Sequence, residues 1–368
     1  MQFISDREPL TEALSNASRA LSSRGSITGL RWTVAAGLLE IEGRESDLSI
    51  RSTVPVDGSD THFTTPASLA VDLMKSLPGE RVEVVVEDAT VSFRSGRAEV
   101  SLNLLNEFDV PPLGIEDQAA VTVPSVELAS GISQVAIAAS RDDTRDLIYS
   151  GMLFASSPEG LRLVATDGIR LALRDIAGIN MLNDTDTGEV VIPTRAVREL
   201  ERILSGSAAD QLLSVRIGAR EAVFSVGSTT LATRLIDEPF RDYRRLVDVS
   251  YSRVMLADRS QLVSALRTLR RMAKEARNSS MLRMTITGTA CELSVKIPQI
   301  GQVHEVIDVN FSDEEFAISF DPDLLADGID GVESDVVRFE FLESNRAASI
   351  TNSDSRSFVY LLMPIVQK

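Results

Sequence analysis

The side chains that most often carry acid, base or nucleophilic chemistry are few in this chain and lie far apart. Its 368 residues include two histidines, His62 and His304, and one cysteine, Cys291. A zinc site or a histidine-based catalytic site needs several such side chains at short spacing, and neither histidine has a cysteine or a second histidine nearby. We therefore interpret both histidines as strand-filling or surface residues and Cys291 as a small core residue in a strand.

Carboxylate pairs and phosphate-binding loops give no stronger catalytic signal. The adjacent acids Asp142-Asp143 and Glu314-Glu315 fit solvated turns or helix starts better than a general acid and base. The chain has no G-x-x-x-x-G-K-[ST], G-x-G-x-x-G or G-x-S-x-G motif. A two-metal carboxylate site stays open as an alternative that nothing supports. The sequence thus predicts a protein that is not an enzyme and that holds no metal and no cofactor.

Charge is more informative, because the basic residues are grouped within an acidic chain. The formal net charge is −17, which by itself disfavours adhesion to any polyanion. In the last third of the chain, Arg267, Arg270, Lys274 and Arg277 each follow an apolar residue by one position, and Arg271 widens the group. On a helix they form a basic stripe about 100° from the buried face.

Smaller basic groups recur on the other predicted helices. Solvated helix faces, with cations that complement the helix dipole, are the alternative for any single residue. The recurrence of the groups favours a common positive surface. These smaller groups are Arg19 and Arg24; Lys75; Arg141 and Arg145; and Arg195, Arg198 and Arg202.

The elements that would position these cations repeat three times along the chain. Three sets of apolar residues at spacings of three and four predict three equivalent helices. Pro66, Pro193 and Pro322 each follow an extended stretch and precede a second helical pattern, as expected of proline in the first turn of a helix. The three apolar sets are Leu10, Leu14, Ala17 and Leu21; Leu128, Ile132, Val135 and Ala139; and Leu262, Leu266, Leu269 and Ala273.

Between the helices the apolar pattern alternates with a period of two, which predicts strands. Glu87-Asp88, Ser95-Gly96, Asp167-Gly168 and Thr287-Gly288 predict hairpin turns between them. We therefore expect an α+β fold of mostly antiparallel sheet in three tandem domains, 1–119, 120–248 and 249–368. No apolar run approaches the roughly 20 residues that span a bilayer, and residues 1–24 lack a signal-peptide pattern. A soluble, cytoplasmic protein without a membrane partner is expected.

Five segments carry a resemblance to a known family. They read YSGMLF (149–154), LRLVATDGIRLA (161–172), RLI (234–236), FRDYRR (240–245) and YLLMP (360–364). Together with the start of the chain and the threefold plan, they resemble the beta subunit of bacterial DNA polymerase III, the sliding clamp family. The resemblance covers the whole length of the chain.

The resemblance implies a ring around duplex DNA. In this family two three-domain chains close head to tail as a homodimer, with the helices on the inside and the antiparallel sheets outside. A non-catalytic processivity subunit of this kind holds double-stranded DNA by topology and by weak, sequence-independent phosphate contacts. Arg24 matches a family position that touches DNA. With the other basic groups, the candidate DNA contacts are Arg24, Lys75, Arg141, Arg145, Arg195 and Arg198.

The resemblance also implies an apolar groove between the second and third domains that accepts short peptides. Its implied partners are the polymerase III alpha subunit, the clamp loader and other proteins with clamp-binding peptides, and a groove that contains Met suits varied partners. At the dimer interface, Val100 and Leu102 match the edge strand of the first domain, while Met272 lies on the third-domain side. The matched groove positions are Ile148, Thr166, Gly168, Arg170, Leu171, Arg245, Leu246, Leu361, Leu362, Met363, Pro364 and Ile365.

Some positions depart from the family pattern. Ile169 stands where the family usually has His, and Arg241 where it has Pro, so we expect altered peptide preferences. The helical pattern after Pro322 is acidic, through Asp321, Asp323, Asp327 and Asp330, which makes it a poor lining for DNA. The alternative interpretation is a divergent clamp-fold adaptor or enzyme that has lost the ring.

Overall fold

Seven α-helices lie within the described part of the chain. The computed structural model describes residues 1–22, 28–106, 110–114, 118–140, 147–182, 188–206, 208, 210–275 and 281–366. A short 3-10 helix, Leu147–Ser150, lies between the third and fourth helices. The α-helices are α1 (Arg7–Ser18), α2 (Ala67–Ser76), α3 (Ser125–Ala136), α4 (Thr194–Ser205), α5 (Arg244–Val247), α6 (Arg259–Ala273) and α7 (Pro322–Asp330).

Strands make up most of the remaining regular structure. They are β1 (Gln2–Asp6), β2 (Gly29–Ala35), β3 (Leu38–Arg44), β4 (Leu48–Pro55), β5 (Asp57–Gly58), β6 (Thr61–Pro66), β7 (Arg81–Glu87), β8 (Thr90–Ser95), β9 (Ala98–Asn103), β10 (Val121–Pro124), β11 (Gly151–Ser156), β12 (Gly160–Thr166), β13 (Arg170–Ala177), β14 (Glu189–Pro193), β15 (Leu212–Ile217), β16 (Glu221–Val226), β17 (Thr229–Arg234), β18 (Arg253–Asp258), β19 (Leu282–Ile286), β20 (Ala290–Ile297), β21 (Gly301–Phe311), β22 (Phe316–Phe320), β23 (Val336–Phe341), β24 (Ala348–Asn352) and β25 (Phe358–Leu362).

The chain divides into two compact units, each with its own sheets. The first unit comprises Met1–Ala129, Met181–Thr187 and Arg195–Leu235, and the second comprises Ser130–Asn180, Gly188–Thr194 and Ile236–Lys368. The first unit contains a five-stranded sheet, β5-β1-β7-β8-β9, and an eight-stranded sheet, β10-β15-β16-β17-β4-β3-β2-β6. The second contains one twelve-stranded sheet, β14-β11-β12-β13-β25-β24-β23-β18-β21-β20-β19-β22. The strand pairs are antiparallel, as the sequence predicted.

Two of these strand pairs join segments that are distant in sequence. In the first unit β17 pairs with β4, with Ala232 opposite Ser49. In the second unit β13 pairs with β25, with Leu171 opposite Leu361. We call these two pairs the first and the second seam. Each seam makes one hydrogen-bonded sheet out of strands that the sequence assigned to different domains.

The helical periodicity is confirmed. The predicted apolar residues within α1, α3 and α6 are buried, whereas Leu21 lies after α1 and is half-buried, and Ala139 is buried just after α3. Pro322 occupies the first turn of α7, whereas Pro66 and Pro193 end the strands just before α2 and α4. Asp321 caps α7, because its Oδ1 accepts hydrogen bonds from the backbone N–H groups of Asp323 and Leu324 at 2.9 and 3.1 Å.

The few reactive side chains have the structural surroundings that the sequence indicated. His62 on β6 and His304 on β21 are exposed. Cys291 on β20 is buried, and burial raises the pKa of its thiol to about 12, so it stays a neutral core residue. Within the described ranges there is no group of three or more His, Cys, Asp or Glu side chains that could hold a metal ion, and no helix long and apolar enough to cross a membrane.

The core of the first unit contains the only tryptophan of the chain. Trp32 is fully buried on β2 and stacks on Phe63, with 5.2 Å between ring centroids. Phe93 of β8 lies 5.8 Å away by the same measure, so aromatic packing joins the two sheets of this unit. The indole N–H donates a hydrogen bond to Thr65 Oγ1 at 2.9 Å, which satisfies its only polar atom.

Candidate functional site

The second seam carries a continuous apolar face. Because Leu171 lies opposite Leu361 and Leu173 opposite Val359, all four side chains point to the same side of the sheet. They pack into one cluster, whose members are Leu153, Ala155, Val164, Leu171, Leu173, Val191, Tyr243, Val359 and Leu361. We call this cluster, with the half-buried residues that pack on it, the apolar patch.

The segment that runs from β17 through α5 packs across this face. Ile236, Phe240 and Val247 pack against the cluster and stay only half-buried. The backbone N–H of Ile236 donates to Val191 O at 2.9 Å, and the ring of Phe240 meets that of Tyr243 edge-on, with centroids 6.2 Å apart. No sequence pattern marks these three residues as part of a site, because an irregular segment and a four-residue helix show no periodicity in their apolar side chains.

Large apolar side chains around the patch are exposed. Leu246 is 55% exposed and Met363 45%, while Ile169 and Ile365 are similarly open. The N–H of Met363 donates to the carbonyl of Ile169 at 2.9 Å, so these two residues are neighbours. Several large apolar residues exposed together beside a buried cluster are typical of an interaction surface.

A tight turn between β12 and β13 positions one side of the patch. Asp167 Oδ1 accepts hydrogen bonds from the N–H groups of Ile169 and Arg170 at 2.9 and 3.0 Å. Gly168, with φ +87°, supplies the left-handed conformation that this turn requires. The tip of the turn is Gly168-Ile169, one residue later than the predicted Asp167-Gly168, because the aspartate side chain closes the turn instead of forming its tip.

Arg170 connects this turn to α7. Its side chain is 11% exposed, its Nε lies 3.0 Å from Asp167 Oδ2 and its Nη1 lies 2.6 Å from Asp327 Oδ2. Beside it the Tyr360 hydroxyl donates to Leu324 O at 2.9 Å, and burial raises the pKa of Tyr360, so the hydroxyl remains protonated. Arg170 is therefore held by two carboxylates.

The other predicted groove residues lie on β25 and in the segments around it, and those on β25 point to both of its faces. Leu361 belongs to the apolar patch, whereas Leu362 is fully buried and, by strand alternation, points with Tyr360 to the opposite face. Thr166 is half-buried, and its hydroxyl donates to Arg170 O at 2.7 Å. Pro364 is half-buried after β25. The side chain of Ile148 lies outside the described residues.

Basic side chains surround the apolar patch. Arg245 is 91% exposed, with its Nε 3.7 Å from Asp242 Oδ2. The guanidinium of Arg244 lies 5.1 Å from the ring centroid of Tyr243, and Arg244 also pairs with Glu189. Arg241 lies over Tyr149 at 5.2 Å, a cation–π contact that the proline usual in the family would not make. The patch thus has an apolar centre and a polar edge.

The predicted DNA contacts have different surroundings. Arg24, Arg141 and Arg145 lie outside the described residues, as do Arg277 and the Asp142-Asp143 pair. Lys75 is exposed in the last turn of α2, and Arg198 is half-buried on α4. Arg195 is engaged within the first unit: its Nη1 lies 2.7 Å from Glu45 Oε2 and its Nη2 donates to Ala20 O at 2.7 Å. Its charge is therefore partly neutralised.

The predicted dimer residues lie on an edge strand and in the last turn of a helix. β9 is the last strand of the five-stranded sheet, so one of its backbone edges has no partner strand among the described residues of the first unit. Val100 is half-buried and Leu102 buried, and both pack on the core of this unit. Met272 is half-buried in the last turn of α6.

Comparisons with known proteins give a consistent result. Family models for the N-terminal, central and C-terminal domains of the DNA polymerase III beta subunit match residues 1–114, 122–242 and 244–366. The beta sliding clamp of Bacillus subtilis (strain 168) is 28% identical over 380 aligned positions that cover 99% of both chains. That of Escherichia coli (strain K12) is 27% identical, over 99% of this chain and 100% of the relative. A crystal structure of the Bacillus subtilis DNA polymerase sliding clamp superposes with a TM-score of 0.90, at 26% identity and full coverage of both chains.

Proposed function

Because this chain belongs to the DNA polymerase III beta subunit family, we propose that it encircles duplex DNA as a head-to-tail homodimer and tethers the replicative polymerase. The family consists of non-catalytic sliding clamps, and its three domain models match this chain consecutively and in order. We propose the domain limits 1–119, 120–248 and 249–368. The activity belongs to the bacterial cytoplasm, where the chromosome is replicated.

Peptide docking on the apolar patch is the central part of this proposal. A buried apolar floor beside exposed Leu246 and Met363 offers sites for the apolar side chains of a short peptide. Arg245, at 91% exposure, is available to the peptide backbone or to an acidic side chain. The docking segments would come from the polymerase alpha subunit, the clamp loader and other proteins with clamp-binding peptides.

Sheet edges support the homodimer. A strand with an unpaired backbone edge readily accepts another strand, and closed symmetry covers such edges in both protomers. We propose that β9, with Val100 and Leu102 fixing its inner face, contacts the region of Met272 in a second copy.

The DNA contacts are proposed to be weak and independent of sequence. Lys75, Arg195 and Arg198, with Arg24, Arg141 and Arg145, are the candidates. The ion pair between Arg195 and Glu45 supports weak contacts, because a cation that is already paired binds a phosphate less strongly. A ring that holds DNA by topology needs no stronger contact.

Calorimetric titration with a peptide from the polymerase alpha subunit tests this function. We expect one peptide per chain, and a loss of affinity of at least about 100-fold in the Leu246→Asp/Met363→Asp variant, because two carboxylates would be desolvated against the apolar floor. Leu212→Asp is the matched control, since Leu212 is also an exposed leucine but lies on β15 of the first unit. Sedimentation should show a dimer for all three proteins. Equal peptide affinity in the double variant and the control would overturn the proposed docking site.

A further inference from the structure

In the second unit, a cleft with basic side chains on its α6 side lies between α6 and α7. It has a volume of about 260 Å³, and its charged lining consists of Arg267, Arg270 and Arg271 of α6, Lys274 at the C-terminal cap of α6, and Asp330 of α7. The formal charge of the whole chain is −17, so four cations within two helical turns form a distinct local positive field. A surface of this kind attracts phosphate groups.

The four cations are not equivalent. Arg267, Arg271 and Lys274 are exposed, and within the described ranges none of the three has an ion pair. Arg270 differs, because its Nε lies 2.5 Å from Oδ1 of Asp323 in the first turn of α7, and its side chain is only 35% exposed. One of the four charges is thus cancelled by a carboxylate from the neighbouring helix.

The acidic residues of α7 have separate roles. Asp321 caps the helix, and Asp327 holds Arg170 of β13. The carboxylate of Asp323 performs neither task and contacts α6 instead. A half-exposed ion pair of this kind adds little stability. Stability alone is therefore a weak reason for an acid beside a basic stripe.

We propose that Asp323 attenuates DNA binding by α6. It occupies Arg270 and leaves Arg267, Arg271 and Lys274 as the phosphate contacts of this helix. This inference rests on the proposed clamp function, because a ring that slides must not hold the duplex tightly. Each phosphate contact steepens the dependence of log affinity on log salt by about 0.9. Releasing Arg270 should therefore raise the affinity for DNA and steepen its salt dependence.

A double-mutant cycle on the full-length protein tests the inference. The proteins are the wild type, Asp323→Asn, Arg270→Gln and the double variant, with Asp354→Asn as a control. Asp354 is an exposed aspartate in the same unit, between β24 and β25, so this substitution removes the same charge by the same chemistry. Binding to a short fluorescein-labelled DNA duplex is measured by anisotropy at several salt concentrations.

We expect Asp323→Asn to bind DNA about fivefold more tightly at physiological salt, with a slope steeper by about 0.9, as one added phosphate contact predicts. Arg270→Gln should change the wild type less than twofold but should abolish the whole gain in the Asp323→Asn background. The inference is overturned if Asp323→Asn and Asp354→Asn behave alike, or if the gain persists without Arg270. Absence of salt-dependent binding by the wild type would instead contradict the proposed DNA contacts, and this inference with them.

Discussion

The two seams have the same antiparallel strand pairing, but the side chains on their surfaces differ in polarity. Each pairs two antiparallel strands from distant parts of the chain, and at each a connecting segment packs on the sheet. At the second seam the face under the connecting segment carries the pairs Leu171 with Leu361 and Leu173 with Val359. At the first seam the corresponding face offers Ala232 opposite Ser49. The face at the second seam is therefore apolar, whereas the face at the first seam consists of small and polar side chains.

The connecting segments differ in the same way. At the first seam Leu113 is buried against Val223 and Ala232 and completes a small apolar cluster. Two hydrogen bonds hold this segment in place. Arg44 Nη1 donates to Val110 O at 3.0 Å, and the N–H of Gly114 donates to Glu221 Oε2 at 2.9 Å. At the second seam the connecting segment is fixed by aromatic packing and leaves apolar side chains half-buried.

This difference supports the proposal that only the second of the two similar seams serves as a peptide site. Burying a peptide side chain releases free energy in proportion to the apolar area removed from water. The first seam has buried its small apolar area under its own chain, whereas the second has exposed apolar side chains, Leu246 and Met363, beside its buried cluster. Repeated architecture thus provides two equivalent places, and side-chain composition selects one.

The largest effect is expected at the polar anchor of the first seam. Arg44 pairs with Glu42 at 2.6 Å, and the carboxylate is only 5% exposed. Arg44→Met would leave a buried, uncompensated charge and release Val110, so we expect the free energy of unfolding of the first unit to fall by about 3 kcal/mol. Denaturant unfolding measures this change. Arg94→Met, which breaks an exposed pair in the same unit, is the control, and equal losses in both variants would contradict the assigned role.

An intermediate effect is expected when the first seam is uncovered. Leu113→Ala removes the apolar cover and should lower the stability of the first unit by about 2 kcal/mol. It should not create a second peptide site, because Ala232 and Ser49 provide no apolar floor. Calorimetry with the polymerase peptide should still give one site per chain. A stoichiometry of two would show that cover, and not composition, distinguishes the seams.

The smallest effect is expected at the turn beside the second seam. Gly168→Ala introduces a side chain at φ +87° and should destabilise the turn by about 1 kcal/mol, with a several-fold loss of peptide affinity as Ile169 shifts. Gly96→Ala places the same strain, at φ +61°, in the β8–β9 turn of the first unit. We expect a similar stability change there with unaltered peptide affinity. Equal affinity for the peptide in both variants would show that the turn at Gly168 does not contribute to the peptide site.

Local patterns were sufficient to predict the helices and most hairpins. The spacing of Leu262, Leu266 and Leu269 marks the buried face of α6, and the turn before β13 was correct to within one residue. The seams were not predictable in this way, because nothing local in residues 170–174 indicates pairing with residues 358–362. The predicted peptide site came from resemblance to a family.

The same limit applies to single side chains. Resemblance assigned Arg170 to the groove, but no sequence pattern shows that Asp327, far along the chain, holds it. The sequence did not explain why α7 is acidic, since an acidic helix is a poor lining for DNA. In the structure Asp321 caps its own helix, whereas Asp323 and Asp327 pair with Arg270 and Arg170, and these two pairings depend on tertiary proximity.

The placement of the only indole in the chain has a practical consequence. Trp32 lies in the interior of the first unit, stacked on Phe63. Intrinsic emission excited at the red edge of protein absorbance therefore reports on that unit alone, while circular dichroism averages over both. A melting curve followed by the two optical signals can reveal whether the halves of the protein lose their structure together or in succession, without any label.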